Sequence, residues 1–270
     1  MALWTLFGLA RGKATRDGPD AEAPVRDVPL GLPRIAARDC APDCAACIAS
    51  CPTAALTASE PGEGQAGGTR IALDYGRCIA CQRCIEVCPA DVLMPGHDRA
   101  PGVRRREDLQ FDPHAHRITA QVQELMARRF KRSLHIRHVD AGSCNGCESE
   151  LQALLNPFYN LHRLGIFFTA SPRAADLLLV TGTGTAPMQE ALQAAWEAMP
   201  EPKWVMAMGA CAISGAMARE GYAGGSGAVA AIPVDVYLPG CPPTPAAIMH
   251  ALLLLLGRSR QRLHGGRIDG

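Results

Sequence analysis

Residues 78–89 read CIACQRCIEVCP, and this stretch decides the fold of the first third of the chain. The spacing C-x2-C-x2-C-x3-C-P places its key residues at Cys78, Cys81, Cys84, Cys88 and Pro89. Closely spaced thiolates before a Cys-Pro pair are typical of iron–sulfur ligation. Zinc sites instead use separated pairs of ligands. The stretch therefore predicts an iron–sulfur site.

An earlier copy of this motif lies at residues 40–52. It contains Cys40, Cys44, Cys47, Cys51 and Pro52, with three residues instead of two between the first two cysteines. In two-cluster ferredoxins the cysteine before the proline binds the cluster of the other half. We therefore expect two [4Fe–4S] sites with exchanged fourth ligands. Site A consists of Cys40, Cys44, Cys47 and Cys88. Site B consists of Cys51, Cys78, Cys81 and Cys84.

Composition favours metal-bound thiolates over disulfides. The chain has 270 residues, 12 cysteines and a formal net charge of +1, which does not favour a nucleic-acid partner. The apolar start Met1–Phe7 has no basic residues before it, so we expect no secretory signal and a reducing compartment.

The apolar run Ala246–Leu256 is shorter than the ~20 residues that a bilayer requires. Any membrane association is therefore expected to be peripheral or through partners.

Composition shifts divide the chain into four segments. Residues 1–38 form an extension whose apolar start is a candidate for docking on membrane subunits. Residues 39–95 hold the two cysteine motifs and predict the ferredoxin domain. Residues 96–133 are interpreted as a polar linker and a basic helix, and residues 134–260 hold the last four cysteines.

The last segment alternates predicted strands with predicted helices. The strands are Leu134–Val139, Gly165–Thr169, Asp176–Thr181, Lys203–Met208 and Val234–Leu238. The helices are Glu148–Leu155, Met188–Glu197, Ser214–Arg219 and Thr244–Leu256. Continuous apolar strands indicate burial on both faces of a parallel sheet covered by helices. The segment is therefore predicted to be an α/β domain.

The last four cysteines each follow one of the predicted strands. We call them site C, which consists of Cys144, Cys147, Cys211 and Cys241. Because the carboxyl ends of parallel strands lie at one edge of a sheet, three loops are expected to bring these thiols together. Helix amino termini in the same loops suit an anionic cluster. The alternative is four cysteines that are buried separately.

Three stretches around site C carry a family resemblance: Val139–Glu148, Gly209–Cys211 and Pro233–Pro243. They resemble the small subunit of membrane-bound group 4 [NiFe] hydrogenases of the formate hydrogenlyase type. That family is homologous to the cluster-bearing 20 kDa subunit of respiratory complex I. The resemblance covers about residues 118–257. It implies a flavodoxin-like fold and a [4Fe–4S] cluster close to the active site of a large subunit.

The first part of the chain resembles the two-cluster ferredoxin-like subunit of the same complexes. The match includes both Cys-Pro motifs and the stretch Gly12–Thr15. Those subunits are usually separate chains, so this sequence looks like a fusion that carries three [4Fe–4S] clusters on one polypeptide.

The resemblance implies a function and a set of partners. The expected role is electron transfer in an energy-converting hydrogenase complex, as an oxidoreductase subunit whose catalytic metal lies in another chain. Implied partners are a hydrogenase-type large subunit similar to the 49 kDa subunit of complex I, and integral membrane subunits. Formate dehydrogenase, carbon monoxide dehydrogenase or a soluble ferredoxin is the implied electron partner. The implied location is peripheral, on the cytoplasmic side of the inner cell membrane.

Two features around the first site C loop leave alternatives open. Complex I relatives typically carry two adjacent cysteines there, whereas hydrogenase relatives carry C-x-x-C, as Cys144 and Cys147 do. This favours the hydrogenase type over a complex I-like quinone oxidoreductase or a nickel-free relative. Glu148, next to Cys147, is a candidate for a proton path. An acidic residue in a first helical turn more often complements the helix dipole.

Overall fold

The computed structural model describes most of both cysteine-bearing segments. Apart from isolated secondary-structure assignments at residues 10, 262–263 and 266–267, the described ranges are 31–36, 38, 40–59, 68–96, 101–113, 133–219 and 221–259. The expected docking segment at the chain start, the stretch Gly12–Thr15 and the predicted basic helix at residues 118–132 lie outside the described residues.

The first unit is a small α+β fold. Its elements are β1 (Arg34–Ile35), α1 (Ala46–Ser50), β2 (Leu56–Ser59), β3 (Arg70–Asp74), α2 (Arg83–Glu86), β4 (Leu93–Met94) and β5 (Gln110–Phe111). Strand β3 pairs antiparallel with both β2 and β5, and β1 pairs antiparallel with β4. Two short helices beside small antiparallel sheets confirm the predicted ferredoxin-like region.

The second unit is built on a five-stranded parallel sheet. Its strands are β6 (Leu134–Asp140), β7 (Ile166–Phe168), β8 (Leu177–Thr181), β9 (Trp204–Met208) and β10 (Val236–Leu238). Read from one edge, their order is β7-β6-β8-β9-β10, and every neighbouring pair is parallel. In order of appearance this is 2-1-3-4-5, the flavodoxin-like arrangement. The predicted α/β flavodoxin-like fold is confirmed.

Helices cover both faces of this sheet. They are α3 (Gly146–Ala153), α4 (Ala186–Glu197), α5 (Gly209–Ser214) and α6 (Pro245–Leu255). Strand β8 is buried throughout because its alternate residues enter two different cores. Leu177 and Leu179 share a core with the fully buried α6, while Leu178 packs with Leu192 of α4. Among the described residues, none of the helices has the length and apolar character needed to span a bilayer.

Residues 101–113 do not form the polar linker that the charge pattern indicated. Arg106–Leu109 form a 3-10 helix, and β5 adds a strand to the ferredoxin sheet. Val103 and Leu109 are fully buried in a core that also contains Ile213 of α5. This burial is not visible in the sequence because Val103 and Leu109 are isolated among charged residues. They meet their apolar partners only in the folded chain. The two units therefore share one hydrophobic core.

Helix α5 begins five residues earlier than the predicted helix Ser214–Arg219. Gly209, with φ of 88°, allows the chain to turn from β9 directly into the helix. Gly215, with φ of 75°, ends the helix in a left-handed conformation. The correction matters for function because it places Cys211 inside the helix rather than in a preceding loop.

Candidate iron–sulfur sites

Site A is assembled around helix α1. Cys47 lies on α1, and burial together with the neighbouring thiols of Cys40, Cys88 and Cys44 raises its pKa to about 11. The structure thus brings the four predicted side chains together, although Cys88 belongs to the second motif. The extra residue between Cys40 and Cys44 is accommodated in a turn, in which the N–H of Cys44 donates to the carbonyl of Ala41 at 3.2 Å.

The four predicted side chains of site B, Cys51, Cys78, Cys81 and Cys84, all line one small cavity. Burial, together with a smaller effect of nearby thiols, raises the pKa of Cys78 to about 12 and that of Cys84 to about 11. Cys47 of site A is one of the thiols that raise the pKa of Cys84, so sites A and B are neighbours.

Backbone N–H groups already point at two sulfur atoms of site B. The N–H of Ala55 donates to Sγ of Cys51 at 3.3 Å, and the N–H of Ala80 donates to Sγ of Cys78 at 3.4 Å. Burial opposes ionisation of Cys51, but the hydrogen bonds around it, including those with Ala55 and Thr53, lower its pKa. Hydrogen bonds to sulfur stabilise a thiolate and help to set the potential of a bound cluster.

Site C lies at the carboxyl edge of the parallel sheet, as expected. Cys144 follows β6, Cys147 is in α3, Cys211 is in α5 and Cys241 follows β10. Burial, the Glu148 carboxylate and the three other thiols, in that order, raise the pKa of Cys147. Cys144 and Cys241 are exposed, whereas the other two are partly buried. Site C is therefore held by the protein on one side and open at the surface on the other.

The donor set at each site fits an iron–sulfur cluster. Burial and mutual repulsion oppose the ionisation of four adjacent thiols, so the ionised set requires a compensating cation. Among the described residues, no three His, Cys, Asp or Glu side chains are close enough to share one metal ion. A four-iron cluster does not require that closeness, because each thiolate binds a different iron atom. A donor set made only of thiolates suits such a cluster.

Comparison with known protein families matches both halves of the chain. Residues 144–255 match the NADH ubiquinone oxidoreductase 20 Kd subunit family, and residues 39–92 match the 4Fe-4S dicluster domain. A probable membrane-bound hydrogenase subunit, mbhJ of Pyrococcus furiosus, is 42% identical over 134 residues, which are 50% of this chain and 80% of the relative. The chain belongs to the NADH ubiquinone oxidoreductase 20 Kd subunit family. It is an iron–sulfur protein.

Two further members of the 20 Kd subunit family match shorter parts of their own length. Formate hydrogenlyase subunit 7 of Escherichia coli is 41% identical over 153 residues, which are 56% of this chain and 60% of the relative. An NADH-quinone oxidoreductase subunit of Citrifermentans bemidjiense is 48% identical over 109 residues, which are 40% of this chain and 64% of the relative. The match therefore spans less than two thirds of these two relatives.

A buried polar network supports the first loop of site C in this 20 Kd family domain. The hydroxyl of Ser143 donates to Oε2 of Glu148 at 2.8 Å, and the hydroxyl of Thr181 donates to Oε1. Because the Thr181 hydroxyl donates to Glu148, it accepts from Nε2 of His138 at 2.9 Å. Burial lowers the pKa of His138, although Glu148 opposes the shift. Glu148 thus ties the loop that carries Cys144 to the end of β8.

Replacing Glu148 by alanine tests this structural role. The change leaves the hydroxyls of Ser143 and Thr181 without their acceptor, so we expect the free energy of unfolding to fall by about 1–3 kcal/mol. Glu150→Ala is the matched control because Glu150 is two residues away and has only burial acting on its pKa. Anaerobic denaturant unfolding measures both variants. Equal midpoints for Glu148→Ala and Glu150→Ala would contradict the structural role.

The backbone of Gly209 lies close to a sulfur atom of site C. A Cβ at this position would lie 2.8 Å from Sγ of Cys147, and φ is 88°. We expect Gly209→Ala to destabilise the fold by about 1–2 kcal/mol from the backbone alone, and to lower iron occupancy at site C. Gly146→Ala is the control because its Cβ would lie 3.5 Å from Sγ of Cys144, an ordinary contact. Iron analysis and thermal unfolding distinguish the two variants, and equal losses would contradict this account.

Sequence reasoning identified Glu148 but missed the contacts that link it to Thr181 and His138. Thr181 lies 33 positions from Glu148, and His138 lies 43 positions from Thr181, so no local spacing connects them. The available signal was the position of Thr181 at the end of a buried apolar strand, where an isolated polar residue requires a partner.

Proposed function

We propose that the chain is the electron-transfer subunit of a membrane-associated, energy-converting [NiFe] hydrogenase-type complex. Its twelve cysteines would hold three [4Fe–4S] clusters at sites A, B and C. When bound, these clusters supply one-electron transfer. The observation that carries the proposal is the grouping of the thiols into three sets of four, each of which has the donors for one cluster.

The order of the sites follows from contacts near their ligands. Site B neighbours site A, because the thiol of Cys47 contributes to the raised pKa of Cys84. A second cavity is lined by Ala80, next to Cys81 of site B, and by Cys241 of site C. These contacts support the order A, B and C, and the core that the two units share would hold the clusters at a constant spacing.

The open side of site C supports a partner that completes the site. Cys144 and Cys241 are exposed on that side, so a large subunit that covers them would bring its own metal centre next to site C. We propose a hydrogenase-type large subunit here, with integral membrane subunits as further partners on the cytoplasmic side of the cell membrane. Formate dehydrogenase, carbon monoxide dehydrogenase or a soluble ferredoxin would exchange electrons at the site A end.

A complex I-like quinone oxidoreductase, or a nickel-free relative, is the alternative. It is favoured by the 48% identity to the NADH-quinone oxidoreductase subunit of Citrifermentans bemidjiense. Against it stands the separation of Cys144 and Cys147 by two residues, which resembles hydrogenase small subunits. The two functions make the same use of sites A, B and C and differ in the partner that meets site C.

Purification of the complex through this chain separates the two functions. The measurements are hydrogen uptake and evolution, with nickel and iron analysis on the same sample. Nickel together with hydrogen turnover supports the hydrogenase type, and Cys241→Ser should then abolish turnover with an artificial electron acceptor that docks at the ferredoxin end. Iron without nickel, and no hydrogen turnover, would overturn the hydrogenase assignment in favour of the alternative.

A further inference from the structure

We propose that residues 101–111 form an interdomain clamp that sets the separation of site B from site C, with Arg106 as its positioning residue. This inference rests on the proposed electron-transfer function. The clamp was expected to be a linker, but each of its parts contacts a segment that leads to a cysteine of site B or site C.

One end of the interdomain clamp is bound to the flavodoxin-like unit. The N–H of Val103 donates to the carbonyl of Tyr237 at 2.9 Å, and the N–H of Tyr237 donates back to Val103 at 2.8 Å. These two hydrogen bonds form an antiparallel bridge between Val103 and the edge strand β10, four residues before Cys241. The backbone of Gly102 lies against α6, where an added Cβ would be 3.3 Å from Cβ of Ala251. The clamp is therefore fixed to the strand that leads into site C.

The other end is bound to the ferredoxin unit. Strand β5 pairs with β3 through Phe111 and Leu73, and the N–H of Tyr75 donates to the carbonyl of Leu109 at 2.9 Å. The ring of Phe111 packs on the ring of Tyr75, with centroids 6.0 Å apart. Tyr75 lies three residues before Cys78, so this end is fixed to the strand that leads into site B.

Arg106 joins the two ends at the point where the units touch. Its guanidinium donates to both carboxylate oxygens of Asp74, at 2.8 and 2.6 Å. Gly76 lies between Arg106 and Ile213, and a Cβ on Gly76 would be 2.8 Å from carbon atoms of both side chains. Gly76 is two residues before Cys78, and Ile213 is two residues after Cys211. The turn that carries a site B ligand is thus held against the helix that carries a site C ligand.

The geometry of the ion pair points to positioning more than to stability. The two side chains are 24% and 14% exposed, so the pair is partly screened by solvent. Nε of Arg77 lies 3.5 Å from the same Asp74 carboxylate. Loss of Arg106 therefore leaves Asp74 with a cation, and the chain is expected to fold. The bidentate hydrogen bonds that fix the turn are lost, however, because Arg77 approaches Asp74 from a different position in the chain.

The experiment compares Arg106→Gln with Arg105→Gln, the exposed neighbour on the same segment. Iron content is measured first, and then the magnetic interaction between the reduced clusters at sites B and C in the fully reduced protein by electron paramagnetic resonance. We expect the interaction to be lost in Arg106→Gln, with iron content unchanged, and to be preserved in Arg105→Gln. Arg106→Lys retains the positive charge but lacks the two parallel N–H donors of the guanidinium. It should show a reduced magnetic interaction.

Each other result has a defined meaning. An unchanged interaction in Arg106→Gln would overturn the proposal. If that variant does not retain iron, Arg106→Lys decides, and an unchanged interaction there would equally overturn it. If the unmodified protein shows iron at sites B and C but no interaction between them, the clamp does not hold these sites close together and this inference fails, whereas the proposed function is judged by hydrogen turnover of the purified complex.

Discussion

Replacing Cys47 and Cys88 together by alanine is expected to remove one iron–sulfur cluster from the chain, whereas replacing Cys47 and Cys51 together is expected to remove two. The reason is the proposed exchange of the fourth ligand between sites A and B. The thiols that raise the pKa of Cys47 are Cys40, Cys88 and Cys44. The thiol of Cys51 instead contributes to the raised pKa of Cys78 and Cys84. Iron content should fall from about twelve to about eight atoms per chain in the first variant, and to about four in the second.

The two double variants control each other, because each removes two cysteines from the same ferredoxin unit. If each motif instead bound its own cluster, Cys47 and Cys51 would share one site and the outcomes would be reversed. The measurement is iron and acid-labile sulfide per chain, on protein assembled under anaerobic conditions. The reversed pattern would contradict the assignment of Cys51 and Cys88.

Replacing Cys241 by serine is expected to remove the cluster at site C and leave the ferredoxin pair intact. Cys241 is contributed by the loop after β10, and the thiol that raises its pKa, after burial, is Cys144 of the same site. The iron content should fall from about twelve to about eight atoms per chain, and electron transfer to a large subunit should stop. Spectroscopic signals of the two ferredoxin clusters should remain.

Thr244→Ser is the matched control for this variant. Thr244 lies in the same loop, and its hydroxyl accepts the N–H of Ala247 at 3.3 Å to cap α6. Serine retains that hydroxyl, so iron content should be unchanged. Loss of all three clusters in Cys241→Ser, with the control intact, would contradict the picture of two units that bind their clusters separately.

The sequence predicts the fold class and the grouping of the thiols for identifiable physical reasons. Short spacings around Cys-Pro pairs require local folding of the chain around a cluster, so sites A and B leave a local signature. Site C has no such signature beyond Cys144 and Cys147. It was predictable because apolar strands such as β8 indicate a parallel sheet, and the loops after its strands converge at one edge.

Features that depend on pairs distant in sequence were not predictable. The clamp looked like a linker because Arg104, Arg105 and Arg106 dominate its composition, while its partners Asp74 and Tyr237 lie far away in the chain. The early start of α5 was missed because Gly209 was interpreted as part of a loop, although its positive φ begins the helix at once. In both cases folded-state contacts outweigh local propensity.

Reductive titration of the anaerobically purified chain tests the central claim most directly. Three [4Fe–4S] clusters that each accept one electron predict an uptake of about three electrons per chain, accompanied by about twelve iron atoms. An uptake of about two electrons with about eight iron atoms would show that one of the three sites holds no cluster and would contradict the three-site electron path. Zinc in place of iron, with no electron uptake, would contradict the electron-transfer function itself.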